Sequence, residues 1–417
     1  MTTAQISYFK ERALQYASTF DVCCYLDSNN YQDQYGNYDY LIAFGKEREF
    51  TTSTGDAFSS LKTFVEENKN WLFGFLTYDL KNETEDLQST KEDFLNFPDI
   101  YFFIPDNLIA IKGTEISVLK GKIDKEQILK APLPKQNSNN KLLIQHKFTK
   151  SEYLNHIDKI KQHIKRGDIY EMNFCQEFFA ENAIIDPLST YRHLAKVSPT
   201  PFSGFLKIGS KFILSATPER FLSKRGNTLT SQPIKGTAKR SRDKAEDLAI
   251  KNTLKYSKKE QAENVMIVDL VRNDLTKSAV KGTVKVDELF GIYTFPQVHQ
   301  MISSISCKLS PNVHFVDAIK NAFPMGSMTG APKLKAMLLI DQYERSKRGV
   351  YSGSFGYITP DGDFDFNVVI RSILYNLETQ YLSFQVGGAI TYESEAEKEY
   401  EECLLKASAM MSVLSRD

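Results

Sequence analysis

The stretch from Phe202 to Gln232 constrains the fold most. Four short apolar segments, Phe202 to Ile208, Lys211 to Ser215, Arg220 to Ser223 and Thr228 to Gln232, alternate with turn residues such as Gly209-Ser210 and Gly226-Asn227. Runs this short, with turn signals between them, read as an antiparallel meander. The meander delivers two reactive side chains from adjacent elements. One is Glu219, in Ser215-Ala-Thr-Pro-Glu-Arg220, and the other is Lys235, in Pro233-Ile-Lys-Gly-Thr237. A lysine between residues that still the backbone, followed by a glycine that lets a ligand approach, is a candidate nucleophile once burial or a nearby cation frees its amine. A glutamate beside it can supply the proton that a departing hydroxyl needs.

At 417 residues and 41% hydrophobic content, the chain can bury a large core. Lys+Arg and Asp+Glu number 52 each, so the overall field favours neither nucleic acid nor an anionic membrane, and a small partner is expected. No stretch is apolar enough to span a bilayer. Met1-Thr-Thr-Ala-Gln-Ile-Ser7 has no signal-peptide pattern, which places the chain in the cytoplasm. Cys23, Cys24, Cys175, Cys307 and Cys403 form no CxxC and read as buried free thiols. The six histidines lack zinc-ligand spacing, so any metal should be oxygen-bound.

Residues 1–130 carry strand-like runs such as Tyr40-Leu-Ile-Ala-Phe44 and Trp71 to Tyr78, and are expected to form an N-terminal lobe. Residues 131–141 are Pro-rich and then polar, a linker to a larger region spanning 142–417. That region opens on a capping box, Thr149-Lys-Ser-Glu152, and a helix that stops at Gly167, followed by a strand over Asp168 to Phe179. Ser257-Lys-Lys-Glu260 caps a second helix, which carries Glu263 and is apolar enough to be deeply packed. Met325 to Lys333 is a small-residue loop leading into a helix with Pro332 in its first turn, where free amides suit a carboxylate. Pro360-Asp-Gly-Asp363 joins two strands, the second running from Phe364 to Leu374 with Arg371 inside it, which calls for an anionic partner. On the last helix, Ser394 to Leu414, the side chains of Glu395, Glu399, Glu402 and Lys406 fall within a stripe of about 60°. Stacked carboxylates repel, and a divalent cation relieves them better than one lysine.

Taken in order, these motifs resemble the chorismate-utilising enzymes: anthranilate synthase component I, aminodeoxychorismate synthase component I, isochorismate synthase and salicylate synthase. The resemblance covers roughly residues 145 to 415. It rests on Gly167 to Asn173, Ser215 to Phe221, Pro233 to Thr237, Glu263 to Asp274, Thr329-Gly-Ala-Pro-Lys333, Arg371 and Ser394 to Lys406. It implies an α+β fold in which two large antiparallel β-sheets, packed as a sandwich and flanked by helices, enclose the site. It also implies Mg2+ held by Glu263 and Glu402, with Glu399 as an outer ligand. Substrate contacts are implied for Gly236, Thr237, Thr329, Gly330, Ala331, Tyr351, Arg371, Gly387 and Lys406, with Arg371 and Lys406 facing the carboxylates of chorismate.

Lys235 points to one branch, because anthranilate synthases usually carry alanine there. In the aminodeoxychorismate synthases a lysine attacks ring carbon C2 as the C4 hydroxyl leaves, an acid matching Glu219 assists, and ammonia then adds at C4 and expels the lysine. Pro201-Phe-Ser203 and the N-terminal Tyr25-Leu-Asp-Ser-Asn29 and Trp71 to Tyr78 also look like this branch. No glutaminase signature with a cysteine nucleophile is visible, so the resemblance implies ammonia from a separate glutamine amidotransferase subunit. The alternatives are an anthranilate synthase large subunit and, from another class, a non-catalytic chorismate-binding scaffold; the latter should have lost the carboxylates, Arg371 or Lys406. Three positions depart from the family pattern. Glu171 stands where amine-transferring members usually have glutamine and isochorismate synthases a lysine. Gln300 stands where a histidine is usual, with His299 one residue off, and Ala389 replaces the third glycine of a Gly-Gly-Gly run.

Overall fold

The computed structural model describes residues 2–31, 33–132 and 142–415. The expected linker at 131–141 therefore lies, beyond its first two residues, outside the described residues. Among the described residues eleven strands form one sheet and ten form a second, and the pairings are antiparallel. This is the expected α+β sandwich. Strands from residues 1–130 enter both sheets: Val22–Asp27 pairs with Phe202–Ile208 in the first, and Leu72–Leu76 with Ser354–Ile358 in the second. No helix among the described residues is long and apolar enough to cross a membrane.

Side-chain alternation divides the core into two layers. On strand Glu171–Ala180, Cys175 and Phe179 join the cluster between the sheets, while Met172, Phe174 and Phe178 join the cluster under the outer helices. All five cysteines are buried and free, as expected. The capping box at Thr149 and Glu152 starts helix Lys150–Lys165, and Gly167 turns the chain away at φ +82°.

Four expectations about elements are corrected. The stretch 202–232 is not one meander but two hairpins in different sheets: Phe202–Ile208 and Lys211–Thr217 lie in the first, Arg220–Arg225 and Thr228–Gln232 in the second. Likewise the strand expected from Phe364 to Leu374 is broken into Phe364–Asn367 and Ser372–Asn376, one in each sheet, with Arg371 between them at φ +50°. Period-2 hydrophobicity continues through such a bend, so nothing in the pattern marks the change of sheet. Helix Lys258–Thr276 buries one face rather than most of its surface, leaving Val265 41% exposed. In addition, Pro332 caps helix Lys333–Tyr343 instead of sitting inside its first turn.

The two crossings are stitched together. The Val368 amide donates to the Glu219 carbonyl at 3.0 Å, and the Ala216 amide donates to the Arg371 carbonyl at 3.2 Å. Beside them Arg220 is buried, with its side chain 1% exposed, and donates to both oxygens of Asp365 at 2.9 and 3.0 Å and to Asp33 and Gln232. Asp365 also accepts from Arg225 at 2.7 Å. Removing one partner of a buried ion pair leaves the other charge uncompensated. Asp365→Ala should therefore lower the unfolding free energy by about 3–5 kcal/mol in denaturant titration; a loss under about 1 kcal/mol would mean that the cluster is not stabilising this corner.

Candidate active site

Lys235 owes its position to a bulge. Strand Ile234–Lys239 pairs with Val298–Lys308, but the register slips between Ile234 and Thr237, so Lys235 and Gly236 stand out of the ladder. Gly236 sits at φ +89°, where a Cβ would lie 2.9 Å from Glu260 Oε2 and 3.2 Å from Leu254 Cδ1. Glycine is needed here both for the backbone angle and for the close approach. The bulge turns Lys235 toward helix Lys258–Thr276 and the start of strand Glu171–Ala180. Its charge acts on Glu171, Glu219, Glu260, Glu263 and Glu402. Lys235 is half-buried and, among the described residues, forms no ion pair.

Glu219 lies on the first crossing, 4% exposed. Burial pushes its carboxyl up to about 7, opposed by the Ser327 hydroxyl, Lys235, the Ile234 amide and Arg371. A carboxyl in that range holds a proton it can donate at neutral pH. Arg371 comes from the second crossing. Burial lowers its pKa, and Glu219 acts in the opposite direction.

Helix Lys258–Thr276 contributes Glu263, which burial pushes up to about 7 while Lys235 draws it down. Its side chain is 12% exposed, with Lys259 at 3.8 Å. Glu260, one turn earlier, reaches toward Gly236 and was read from the sequence only as a helix-capping residue. The signal was available: Glu260 and Glu263 are three apart on one helix and share a face.

The C-terminal helix Ala396–Leu414 brings Glu399, Glu402 and Lys406 to strand Tyr381–Ile390. A Cβ on Gly388 would fall 3.3 Å from Glu399 Oε2 and 3.7 Å from both Glu402 Oε1 and Lys406 Nζ. Lys406 bonds Glu402 at 2.7 Å and donates to the Gly387 carbonyl at 2.9 Å. Glu402 is half-exposed and held low by Lys406, while burial raises Glu399. Glu395 is not part of this stripe: it precedes the helix, lies exposed and pairs with Lys398 at 2.7 Å.

Gly330–Ala331 forms a short strand on Met172 and Glu171, and the Asn173 amide donates to the Thr329 carbonyl at 2.8 Å. Thr329 is fully buried and Thr237 is exposed. Tyr351 is 4% exposed, packed in the core between the sheets with its hydroxyl 3.2 Å from Cys175 Sγ. His299 is fixed by Asp247 at 3.1 Å and Thr294 at 3.0 Å, while Gln300 lies opposite Thr237 in the ladder.

Among the described residues no three or more His, Cys, Asp or Glu side chains stand close enough together to hold a metal ion by themselves. The donors that face one another are carboxylates, the chemistry that suits Mg2+, which takes one or two of them and fills its octahedron with water and ligand oxygens.

The raised Glu219 carboxyl has a consequence for stability. Its folded pKa of about 7 exceeds the ordinary 4.5, so between these values the folded protein binds more protons than the unfolded chain, and stability falls as pH rises. Glu219→Gln should flatten that fall, gaining on the order of 3 kcal/mol over the parent between pH 5 and pH 8 in denaturant titrations. An unchanged pH dependence would contradict the burial of this charge.

A match to the chorismate binding enzyme family spans residues 21–412. The aminodeoxychorismate synthase component 1 of Escherichia coli K12 is 31% identical over 404 residues, covering 90% of this chain and 88% of that protein. The aminodeoxychorismate synthase of Streptomyces griseus is 42% identical over 264 residues, but those are 63% of this chain and only 36% of the longer relative. Among solved structures, anthranilate synthase component I from Streptococcus pneumoniae TIGR4 superposes with a TM-score of 0.79 at 25% identity, over 91% of this chain and 93% of that one. With the two-sheet sandwich and the ordered motifs it carries, the chain belongs to the chorismate binding enzyme family.

Proposed function

We propose that this chain is an aminodeoxychorismate synthase component I, which converts chorismate and ammonia to 4-amino-4-deoxychorismate for p-aminobenzoate and folate synthesis. One observation carries the reading: a lysine displayed by a bulge, free of any ion pair among the described residues, beside an acid whose carboxyl is held near 7. That pair matches the needs of the reaction. The Lys235 amine forms a bond to C2 of the ring while the C4–oxygen bond breaks, and Glu219 gives its proton to the departing hydroxyl, which leaves as water. Ammonia then bonds at C4, the C2–nitrogen bond breaks and the lysine is released. The enolpyruvyl ether is kept.

Arg371 and Lys406 provide cations for the two carboxylates of chorismate, and Gly236 and Gly330 let it approach the backbone. Glu263 and Glu402 would hold Mg2+ with Glu399 behind them. Bound there, the ion would draw electron density from the ring carboxylate and ease attack at C2. Relatives named "component 1" support a separate glutaminase as the source of ammonia.

The purified chain with chorismate, Mg2+ and ammonium at mildly alkaline pH should yield 4-amino-4-deoxychorismate by chromatography and mass spectrometry. Glutamine in place of ammonium should yield none, and chelating the metal should stop turnover. Lys235→Ala should lose the product by at least about 10²-fold. Anthranilate from both parent and variant would move the chain to the other branch.

A further inference from the structure

One small cavity borders the acid of the site. It lies between strands Arg220–Arg225 and Thr228–Gln232, helix Lys258–Thr276 and the loop leading to Thr329, and Glu219 and Ser327 are part of its lining. Its volume, about 10 Å³ open to the centre of a water-sized molecule, admits one such molecule and no more. The walls are apolar: Phe221, Leu222, Val271, Leu275, Ala322 and Met325, none more than 7% exposed.

The polar groups of that lining divide into two kinds. Every side-chain donor among these described residues is committed. Arg220 donates to Asp365, Asp33 and Gln232, the Ser231 hydroxyl donates to the Phe221 carbonyl at 2.6 Å, and the Ser327 hydroxyl is engaged by Glu219. Asp274, the second acid of the lining, accepts from Lys333 at 2.5 Å and from Lys277 at 3.3 Å. Glu219 keeps room to accept, since the Ser327 hydroxyl and the Ile234 amide fill only about two of the roughly four lone-pair sites of a carboxylate.

We propose that this cavity is the holding site for the ammonia that attacks C4, and that Val271 sets the size of amine it admits. The inference rests on the reading above, in which Glu219 faces the C4–oxygen bond. Once Glu219 has given its proton to the departing water it is a carboxylate, which accepts hydrogen bonds and donates none. Ammonia brings N–H donors and one electron pair. The carboxylate accepts from an N–H, and with every side-chain donor of the lining committed, that pair stays free for C4. An ammonium ion has no pair to give and is costly to bury against apolar walls, so the neutral form is the one held. The pair then forms the nitrogen–C4 bond, the C2–nitrogen bond breaks, its electrons return to Lys235, and the new C4 ammonium passes one proton to Glu219. Glu219 is thereby restored, and chorismate plus ammonia has become product plus water.

The test uses the full chain with chorismate and Mg2+ and varies the amine. Val271→Ile and Ala322→Val each add carbon to the cavity, and each should raise KM for ammonium by about tenfold while KM for chorismate stays within about threefold of the parent. With chorismate and Mg2+ but no ammonium, both should still form the Lys235 adduct at close to the parental rate, a split that general damage to the site would not produce. The opposite change, Val271→Ala, should let methylamine stand in for ammonia and give a product one CH2 heavier by mass spectrometry. The parent should use methylamine at least about tenfold less readily than ammonia. The proposal is overturned by a KM for ammonium within about threefold of the parent in either filled variant, or by an equal rise in KM for chorismate. A parent that uses methylamine as readily as ammonia, or a folded Val271→Ala that gains none, overturns it too. Should Val271→Ala fail to fold, the two filled variants decide alone. The parent's product separates this inference from the reading it rests on. Anthranilate brings down the reading in which Glu219 faces C4, and this inference with it; 4-amino-4-deoxychorismate from a parent whose filled variants keep the parental KM for ammonium brings down the holding site alone.

Discussion

Two backbone hydrogen bonds, from Val368 to the Glu219 carbonyl and from Ala216 to the Arg371 carbonyl, fix the place where the chain passes twice between the sheets. A sandwich can be held by its apolar interior alone, but its corners need their polar backbone groups satisfied where strands leave one sheet for the other. Here each crossing satisfies the other. The strands on either side extend the restraint, with the Ser372 hydroxyl donating to Ser215 Oγ at 2.7 Å and Asp365 gripping Arg220. The acid and the arginine of the site are therefore backbone neighbours despite standing 152 positions apart in the chain.

Around that corner the electrostatics are of one kind. Burial pushes up the carboxyls of Glu171, Glu219, Glu260, Glu263 and Glu399, and the cations set among them are Lys235, Lys259, Arg371 and Lys406. Such an arrangement is poorly satisfied on its own, and it suits a ligand that brings two carboxylates and an oxygen-loving cation. The contrast with Arg348 is instructive. That arginine, 1% exposed in its side chain, is saturated by Glu344, the Met328 carbonyl and the Asn173 carbonyl, and so serves only to hold the loop before Thr329 against the strand bearing Glu171.

Much of this was legible in the sequence where the signal is local. The capping box at Thr149 and Glu152, the strand limits at Phe202 and Ile208, and the hairpin at 360–363 follow from residue chemistry within a few positions. What was not legible is long-range. Neither Thr217-Pro-Glu219 nor Val368 to Arg371 says that the next strand belongs to the other sheet, because alternation is the same on either side of the bend. Glu395 was placed in the acidic stripe by helical angle, yet it lies before the first turn and turns to Lys398. Glu260 was passed over as a capping residue, although the bulge at Gly236 brings it beside Lys235. The sign of each pKa shift likewise depends on burial, which only the assembled sandwich provides.

The central claim is that Lys235 bonds to the ring during turnover, and withholding ammonia tests it most directly, since the second half of the reaction then cannot proceed. The chain should be mixed with chorismate and Mg2+ alone, quenched in acid within seconds, digested and read by mass spectrometry. The expected result is a peptide containing Lys235 heavier by chorismate less water, absent when ammonium is present in excess. An unmodified Lys235 peptide, from protein that forms 4-amino-4-deoxychorismate once ammonium is added, would contradict the covalent route.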